Sequence, residues 1–473
     1  MLILPIFLPL LWGLGAALHW VKPRVVTITA ITAVSAVVMP FLTPSSLPIA
    51  SFPFDLSLTL TLDGLSILFT VLITVVWLFV AVYATAYFKH DDQQERFFAF
   101  YLMALGSLMG LCYAGNLITF YLFFELMSLS LLPTVVHDGT PECLAAGRKY
   151  IYYSIGGALL GLLAIFYVYS LGLGGTFTAG GIAGLGDVVS QETMGWFLLV
   201  YVIGFGCKAG LFPLHGWLKT AHPLAPAPAS AVLSGITTKA GILAMLRGVY
   251  YIVGAELIAG SLVQHIILGL SLVTILLGST LAYKENVLKT RLAYSTVSQV
   301  SYVIFGIFLL NPTALTGALL HVIAHAMAKN GLFLFAGTVI HETGCKTVDA
   351  LVGYGATMKK TFTLFLVASL SLVGVPATAG FVSKWYLVTG ALELGTWGLI
   401  GVSVILISAL LTAGYLLTIA VKAFFVEPAQ LQTTPIHVEP RLTPWFFAIA
   451  TITIGTVPQL VLPWIEALVH TMI

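Results

Sequence analysis

Stretches of about twenty apolar residues recur along the whole 473-residue chain, and this recurrence limits the fold more than any other feature of the sequence. Inside lipid every backbone N–H and C=O must be satisfied within the protein, so such stretches cross the bilayer as helices. A sliding window gives about fourteen candidate spans, at 1–19, 24–43, 60–86, 97–112, 115–134, 150–172, 194–217, 227–252, 261–283, 291–310, 314–340, 361–390, 397–424 and 443–470. The expected fold is therefore all-α and polytopic. Only 8% of residues are charged, far below the ~25% of soluble domains. Spans and short loops leave no room for a further soluble domain, and the net charge of +2 points to no nucleic-acid partner. The first apolar run lacks a basic leader and a small-residue cleavage site, so it reads as a span and not as a removed signal.

Loop charges set an orientation, because Lys and Arg accumulate in cytoplasmic loops. With both termini outside, the inside loops take every Lys and Arg except Arg247, which stays outside, and Lys208, Lys239, Lys329 and Lys384, which fall within spans. A cation near the bilayer centre costs at least ~2.5 kcal/mol, so these four are expected to face a hydrated interior along an ion path.

Two spans are interrupted in the same manner. Span seven reads GCKAGLFPLHGWL, with Lys208 just before Pro213, and span twelve reads GVPATAGFVSKWYL, with Pro376 before Lys384. Broken helices at matching places suggest internal repeats with half-helix ends facing a polar cavity. The division that follows is 1–96 for spans one to three, 97–252 for a first five-helix repeat, 253–425 for a second, and 426–473 for span fourteen. An odd helix number makes the two repeats inverted.

Glu125, in the middle of FYLFFELMSLSLLP, needs a counter-ion, and Lys208 is the natural one. Changing their separation would alter the proton affinity of the lysine by Coulomb interaction. Lys239 lies among the hydroxyls of Ser234, Thr237 and Thr238. In HVIAHAMAKNGLF, His321, His325 and Lys329 recur every four residues, which stacks them ~6 Å apart on one helix face. Histidine titrates near neutral pH, so the three form a ladder suited to protons. Arg247 reads either as an interfacial residue or as a partner within the cavity, and Asp63 either as a helix cap or as an ion ligand.

Cys112, Cys143, Cys207 and Cys345 are widely spaced and indicate neither a disulfide framework nor a metal or iron–sulfur site. No nucleotide loop or nucleophile arrangement is present. The glycines of LGLGG and GGIAGLG are followed by no lysine and read as loop. No cofactor and no catalytic site are expected in this chain.

The runs LDGLSILF, FFELMSLSLLP, GCKAGLFPLHGWLKTAHPLAPAPASAVLSGITTKAGILAMLRG, RLAYSTVSQVSYV, HVIAHAMAKNGLFLFAGTVIH and GFVSKWYL resemble the antiporter-like subunits of respiratory complex I. They resemble equally the large subunits of Mrp-type Na+/H+ antiporters and of energy-converting membrane-bound hydrogenases. The resemblance extends from about residue 60 to 425 and implies two inverted five-helix units, broken seventh and twelfth helices, and a water-filled line of charged groups. It carries Glu125 over as the fifth-helix glutamate, Lys208 as the seventh-helix lysine, Lys239 as the connecting lysine and Lys384 as the terminal one, with His321, His325 and Lys329 as the relay between. The function it implies is proton translocation by a membrane subunit of a redox-driven pump in a prokaryotic plasma membrane. Its implied partners are other membrane subunits, protons and the lipid bilayer, with Na+ as a second candidate ion. The alternative is an Mrp-type antiporter subunit working without redox input, although a sodium site would find oxygen ligands within spans only at Glu125, Asp63 and hydroxyls.

Overall fold

The computed structural model describes residues 2–21, 31, 45–52, 56–426 and 442–473. Apart from Ile31, the expected second span at 24–43 lies outside them. The described chain is mostly helical and packs as two compact units, one formed by Met1–Lys208, Ala240–Ile266 and His470–Ile473, the other by Ala209–Lys239 and Ile267–Val469. Each unit includes a segment from the middle of the sequence, Ala240–Ile266 in the first and Ala209–Lys239 in the second.

The first unit begins with α1 (Leu4–Ala17), followed by an antiparallel hairpin of β1 (Ser45–Phe52) and β2 (Leu56–Leu62), with a register shift at Pro48–Ala50. This hairpin departs from the all-helical expectation. The spans α2 (Gly64–Tyr87), α3 (Gln94–Cys112), α4 (Leu117–Val135), α5 (Pro141–Ser170) and α6 (Gln191–Ala209) come next. Local chemistry sets several starts. Asp63 accepts from Ser66 N at 2.8 Å to cap α2, Asn116 accepts from Thr119 N at 2.9 Å to cap α4, and Thr140 caps α5 with Pro141 in its first turn. Asp63 being a cap, α2 starts at Gly64 and not at 60. Glycines let backbones meet where a Cβ would collide. One added at Gly157 would lie 2.5 Å from Gly204 O, so α5 and α6 cross closely near the end of α6.

The second unit contains α7 (Leu218–Leu224), the first part of α8 (Ala227–Val253), α9 (Leu262–Lys284) from Ile267 on, α10 (Leu288–Phe308), α11 (Pro312–Thr343), α12 (Lys359–Val373), α13 (Ala379–Leu392), α14 (Gly395–Phe425) and α15 (Leu442–Thr456). The last helix, α16 (Leu462–Met472), ends the chain. Asn311 caps α11 with Pro312 in its first turn, and Gly344 ends it in the left-handed region at φ 73°. Among the described residues, eight helices, α2–α5, α8, α9, α11 and α14, are long and apolar enough to cross a bilayer.

Both expected interruptions are present. α6 stops at Ala209, Gly210 turns at φ 84°, and the chain resumes as α7. α12 stops at Val373, with Gly374 at φ 93° and Ala377 at φ 67°, before α13 begins. A third interruption was not expected. The stretch 443–470, read as one span, is divided into α15 and α16 by a short 3-10 turn at Pro458–Leu460. Proline there removes a backbone donor and closes the regular helix.

Candidate functional site

The lysines and histidines of the expected path are deeply buried. Lys208, Lys239, Lys329, Lys384, His321 and His325 are each between 0% and 6% exposed. Burial at this depth costs several kcal/mol for an unpaired charge, so each group should be surrounded by polar partners. The structure supplies them in separate clusters.

In the first unit, Lys208 occupies the last turn of α6, where the helix dipole favours a cation. Its Nζ donates to Tyr150 Oη at 2.7 Å, Ser128 Oγ at 3.0 Å and Ser154 Oγ at 3.2 Å. These hydroxyls come from α4 and α5, and the close α5–α6 crossing brings the second pair into reach. Glu125 is half-buried one turn before Ser128 on α4, and its Oε1 has no hydrogen-bond partner among the described residues. The Lys208 ammonium is held by the three hydroxyls.

The same unit holds an ion pair whose partners the sequence left open. Arg247 Nη1 and Nη2 both donate to the Asp63 carboxylate, and Nη2 also donates to Ser66 Oγ at 3.0 Å. The guanidinium stacks near the rings of Tyr251, at 4.4 Å, and Phe177, at 4.9 Å. Arg247 is 1% exposed, so the residue assigned to an outside loop is a buried partner of the α2 cap.

In the second unit, Lys239 follows a wider, π-helical turn of α8 at Leu233–Thr237. Its Nζ donates to Ser234 O at 2.8 Å and hydrogen-bonds His325 Nδ1. The hydroxyls of Thr237 and Thr238 donate to carbonyls of their own helix, and Thr238 Oγ1 also lies 3.5 Å from Lys239 Nζ as an acceptor. Gly235 makes the approach of α8 to α11 possible, because a Cβ there would lie 1.9 Å from Asn330 Nδ2.

The four-residue ladder on α11 reaches three different helices. His321 Nδ1 bonds Ser383 Oγ of α13 at 2.9 Å, His325 meets Lys239 of α8, and Lys329 Nζ donates to Ser295 Oγ at 2.7 Å and Leu292 O at 2.9 Å on α10. The two imidazole centroids are 6.2 Å apart. Lys384, from α13, turns back to donate to Leu372 O and Val373 O, the last carbonyls of α12. A broken helix thus offers free acceptors and the negative end of its dipole to a cation. Nε2 of both His321 and His325, and both amide atoms of Gln299, are buried without partners among the described residues, a pattern that bound water satisfies.

Two basic residues assigned to inside loops are buried clamps. Lys289 Nζ donates to Ala225 O at 2.9 Å, and Arg291 donates to Glu285 O and Tyr415 O at 2.7 and 2.8 Å. Hydropathy places them at a span edge and contains no signal for the carbonyls they cap.

Residues 114–412 match the family model described as NADH:quinone oxidoreductase/Mrp antiporter, and residues 48–98 match that for the N-terminus of complex I chain 5. The chain is 36% identical over 380 residues to NADH-quinone oxidoreductase subunit N of Desulforudis audaxviator, a match covering 80% of this chain and 74% of that one. It is 32% identical to a probable K(+)/H(+) antiporter subunit of Rhizobium meliloti over 88% of this chain but only 42% of that longer protein. Its fold is similar to a chain of the archaeal membrane-bound sulfane sulfur reductase, with a TM-score of 0.89, 20% identity, and coverage of 100% and 97% of the two chains.

Proposed function

This chain belongs to the NADH:quinone oxidoreductase/Mrp antiporter family of membrane subunits, and from that premise we propose that it translocates protons as one subunit of a redox-driven membrane complex. It is a multi-pass membrane protein with an antiporter-like core. The proposal includes the finer architecture of fourteen spans in two inverted five-helix repeats, divided at 96, 252 and 425, in a prokaryotic plasma membrane with both termini outside. Membership of a larger assembly is supported by the sulfane sulfur reductase, a respiratory membrane complex that contains a similarly folded chain.

The observation that carries the reading is the hydrogen bond between Lys239 Nζ and His325 Nδ1, two titratable groups shielded from solvent on different helices. A proton shared there can leave either way, as a small change in surroundings alters which nitrogen holds it. In the proposed sequence, a partner subunit perturbs Glu125, Lys208 exchanges a proton with Lys239, the histidines and Lys329 pass it on, and Lys384 exchanges with one side of the membrane. No cofactor takes part in this chain. Replacing Lys208 with Ala should abolish proton uptake by vesicles bearing the assembled complex while electron transfer by the partner subunits persists. Full pumping in the assembled Lys208→Ala complex would sink the reading.

The second reading is Na+/H+ or K+/H+ exchange without redox input, favoured by the similarity to the Rhizobium antiporter protein. Vesicles given only a sodium or potassium gradient separate the two, since proton movement follows the cation in this reading alone.

A further inference from the structure

A line of hydroxyls lies between α10 and α14 in the second unit. On α10, Ser295, Ser298 and Tyr302 recur at helical spacing, and on α14 Ser408, Thr412 and Tyr415 do the same. The two rows meet in antiparallel order. Tyr415 Oη donates to Thr412 Oγ1 at 3.2 Å, and Thr412 Oγ1 donates to Ser408 O at 2.7 Å. Ser408 Oγ is 3.2 Å from Ser298 Oγ and 2.6 Å from Ser279 Oγ of α9, and the latter two are 2.8 Å apart. Tyr302 Oη donates to Ile405 O at 3.2 Å. All these groups are buried.

Both ends of the line carry an intramembrane lysine. Lys329 Nζ donates to Ser295 Oγ at 2.7 Å, and Lys384 Nζ lies 5.1 Å from the centre of the Tyr302 ring. Gln299, beside Ser298 in sequence, is fully buried with both side-chain amide atoms unpartnered among the described residues, so this part of the line has polar capacity that helix packing leaves unused. We propose that these hydroxyls form a second proton route between Lys329 and Lys384, parallel to His321 and His325. The inference rests on the proton-translocating reading above.

Hydroxyls suit this role because each can accept one proton while releasing another. A proton leaving the Lys329 ammonium is taken up at Ser295 Oγ as that oxygen releases its own to the next acceptor, and so along the line. Lys329 ends neutral, the Lys384 amine ends as an ammonium, and every hydroxyl is restored. Rotation of Thr412 and Tyr302 away from the carbonyls of Ser408 and Ile405, with water bridging the steps from Ser295 and to Lys384, completes the line. A cation cage is a poorer fit for the serine triangle. Oxygens bound to an ion at about 2.3–2.6 Å are held further apart than the 2.6–3.2 Å hydrogen-bond separations seen between these three.

The test uses the assembled complex in vesicles, with proton uptake as the readout. The His321→Gln/His325→Gln variant should keep a residual rate, and adding Ser408→Ala should lower that rate by about tenfold, the loss expected when one hydrogen-bonded step is removed. Ser408→Thr, which keeps the hydroxyl, should restore it, and the residual rate should show a larger solvent deuterium effect than the parent. The route is overturned if Ser408→Ala and Tyr302→Phe leave the residual rate unchanged. It is equally overturned if Ser408→Thr is as slow as Ser408→Ala, since the serine then acts through packing. Either result leaves the Lys208→Ala experiment intact as a separate test of proton translocation.

Discussion

Lys239 Nζ and His325 Nδ1 share a hydrogen bond although they lie on different helices and are 86 residues apart in sequence. Each is the other's polar partner in a region of full burial. Removing Lys239 leaves His325 Nδ1 without its partner, at a cost of about 1–3 kcal/mol, whereas removing His325 leaves Lys239 its bond to Ser234 O. His325→Ala and Lys239→Ala should each slow proton uptake severely, and the double variant should be much less than additive in unfolding free energy. Thermal unfolding of the four proteins in detergent checks this, with additive losses counting against a shared bond.

The Asp63–Arg247 pair should show an asymmetry. The Asp63 side chain is 27% exposed and can hydrate when its partner is lost, whereas the Arg247 side chain is 1% exposed and cannot. Arg247→Ala should therefore destabilise by about 3 kcal/mol, the low end for a buried pair. Asp63→Ala should cost more, because it strands a guanidinium and removes the α2 cap. Equal losses in a denaturation series would contradict the account.

Gly235→Ala tests the approach of α8 to α11. The new methyl carbon would meet the Asn330 side chain, its Nδ2 at 1.9 Å, so this buried amide must leave its bond to Ala326 O or the helices must separate, at a cost of about 1–3 kcal/mol. Lys239 lies one turn further along α8 and should lose its contact with His325. A Gly235→Ala protein with wild-type proton uptake would show that this contact is dispensable.

A pH effect is expected outside the membrane. Lys422 donates to Asp349, and this contact holds the Asp349 carboxyl below its usual range. The depressed value means that the pair stabilises the fold at pH above the ordinary aspartate pKa and loses its contribution as pH falls through the lower folded value. With an Asp349 side chain 65% exposed, the effect should be under about 1 kcal/mol and salt-sensitive. Asp349→Asn should lower the unfolding temperature slightly at neutral pH, and the difference should vanish in acid or at high salt.

Much of this architecture was legible residue by residue. The helical spacing of His321, His325 and Lys329 placed all three on α11, and proline with glycine located the breaks beside Lys208 and Lys384. The break within 443–470 was missed because mean hydropathy averages over Pro458. The hairpin at 45–62 was missed because its pairing joins residues whose partners no local period identifies.

Apolar length and intramembrane charge are properties of single segments, and lipid enforces them segment by segment, so the sequence alone determined that the chain crosses a membrane and which ionisable groups go with it. Which atoms those groups touch depends on helix crossings set by glycines and side chains distant in sequence. Tertiary structure alone decided that Lys208 rests on the hydroxyls of Ser128, Tyr150 and Ser154, that Arg247 closes on Asp63, and that Lys384 caps the broken end of α12. Each outcome follows from the high cost of leaving a buried charge without the nearest polar atom that packing brings to it.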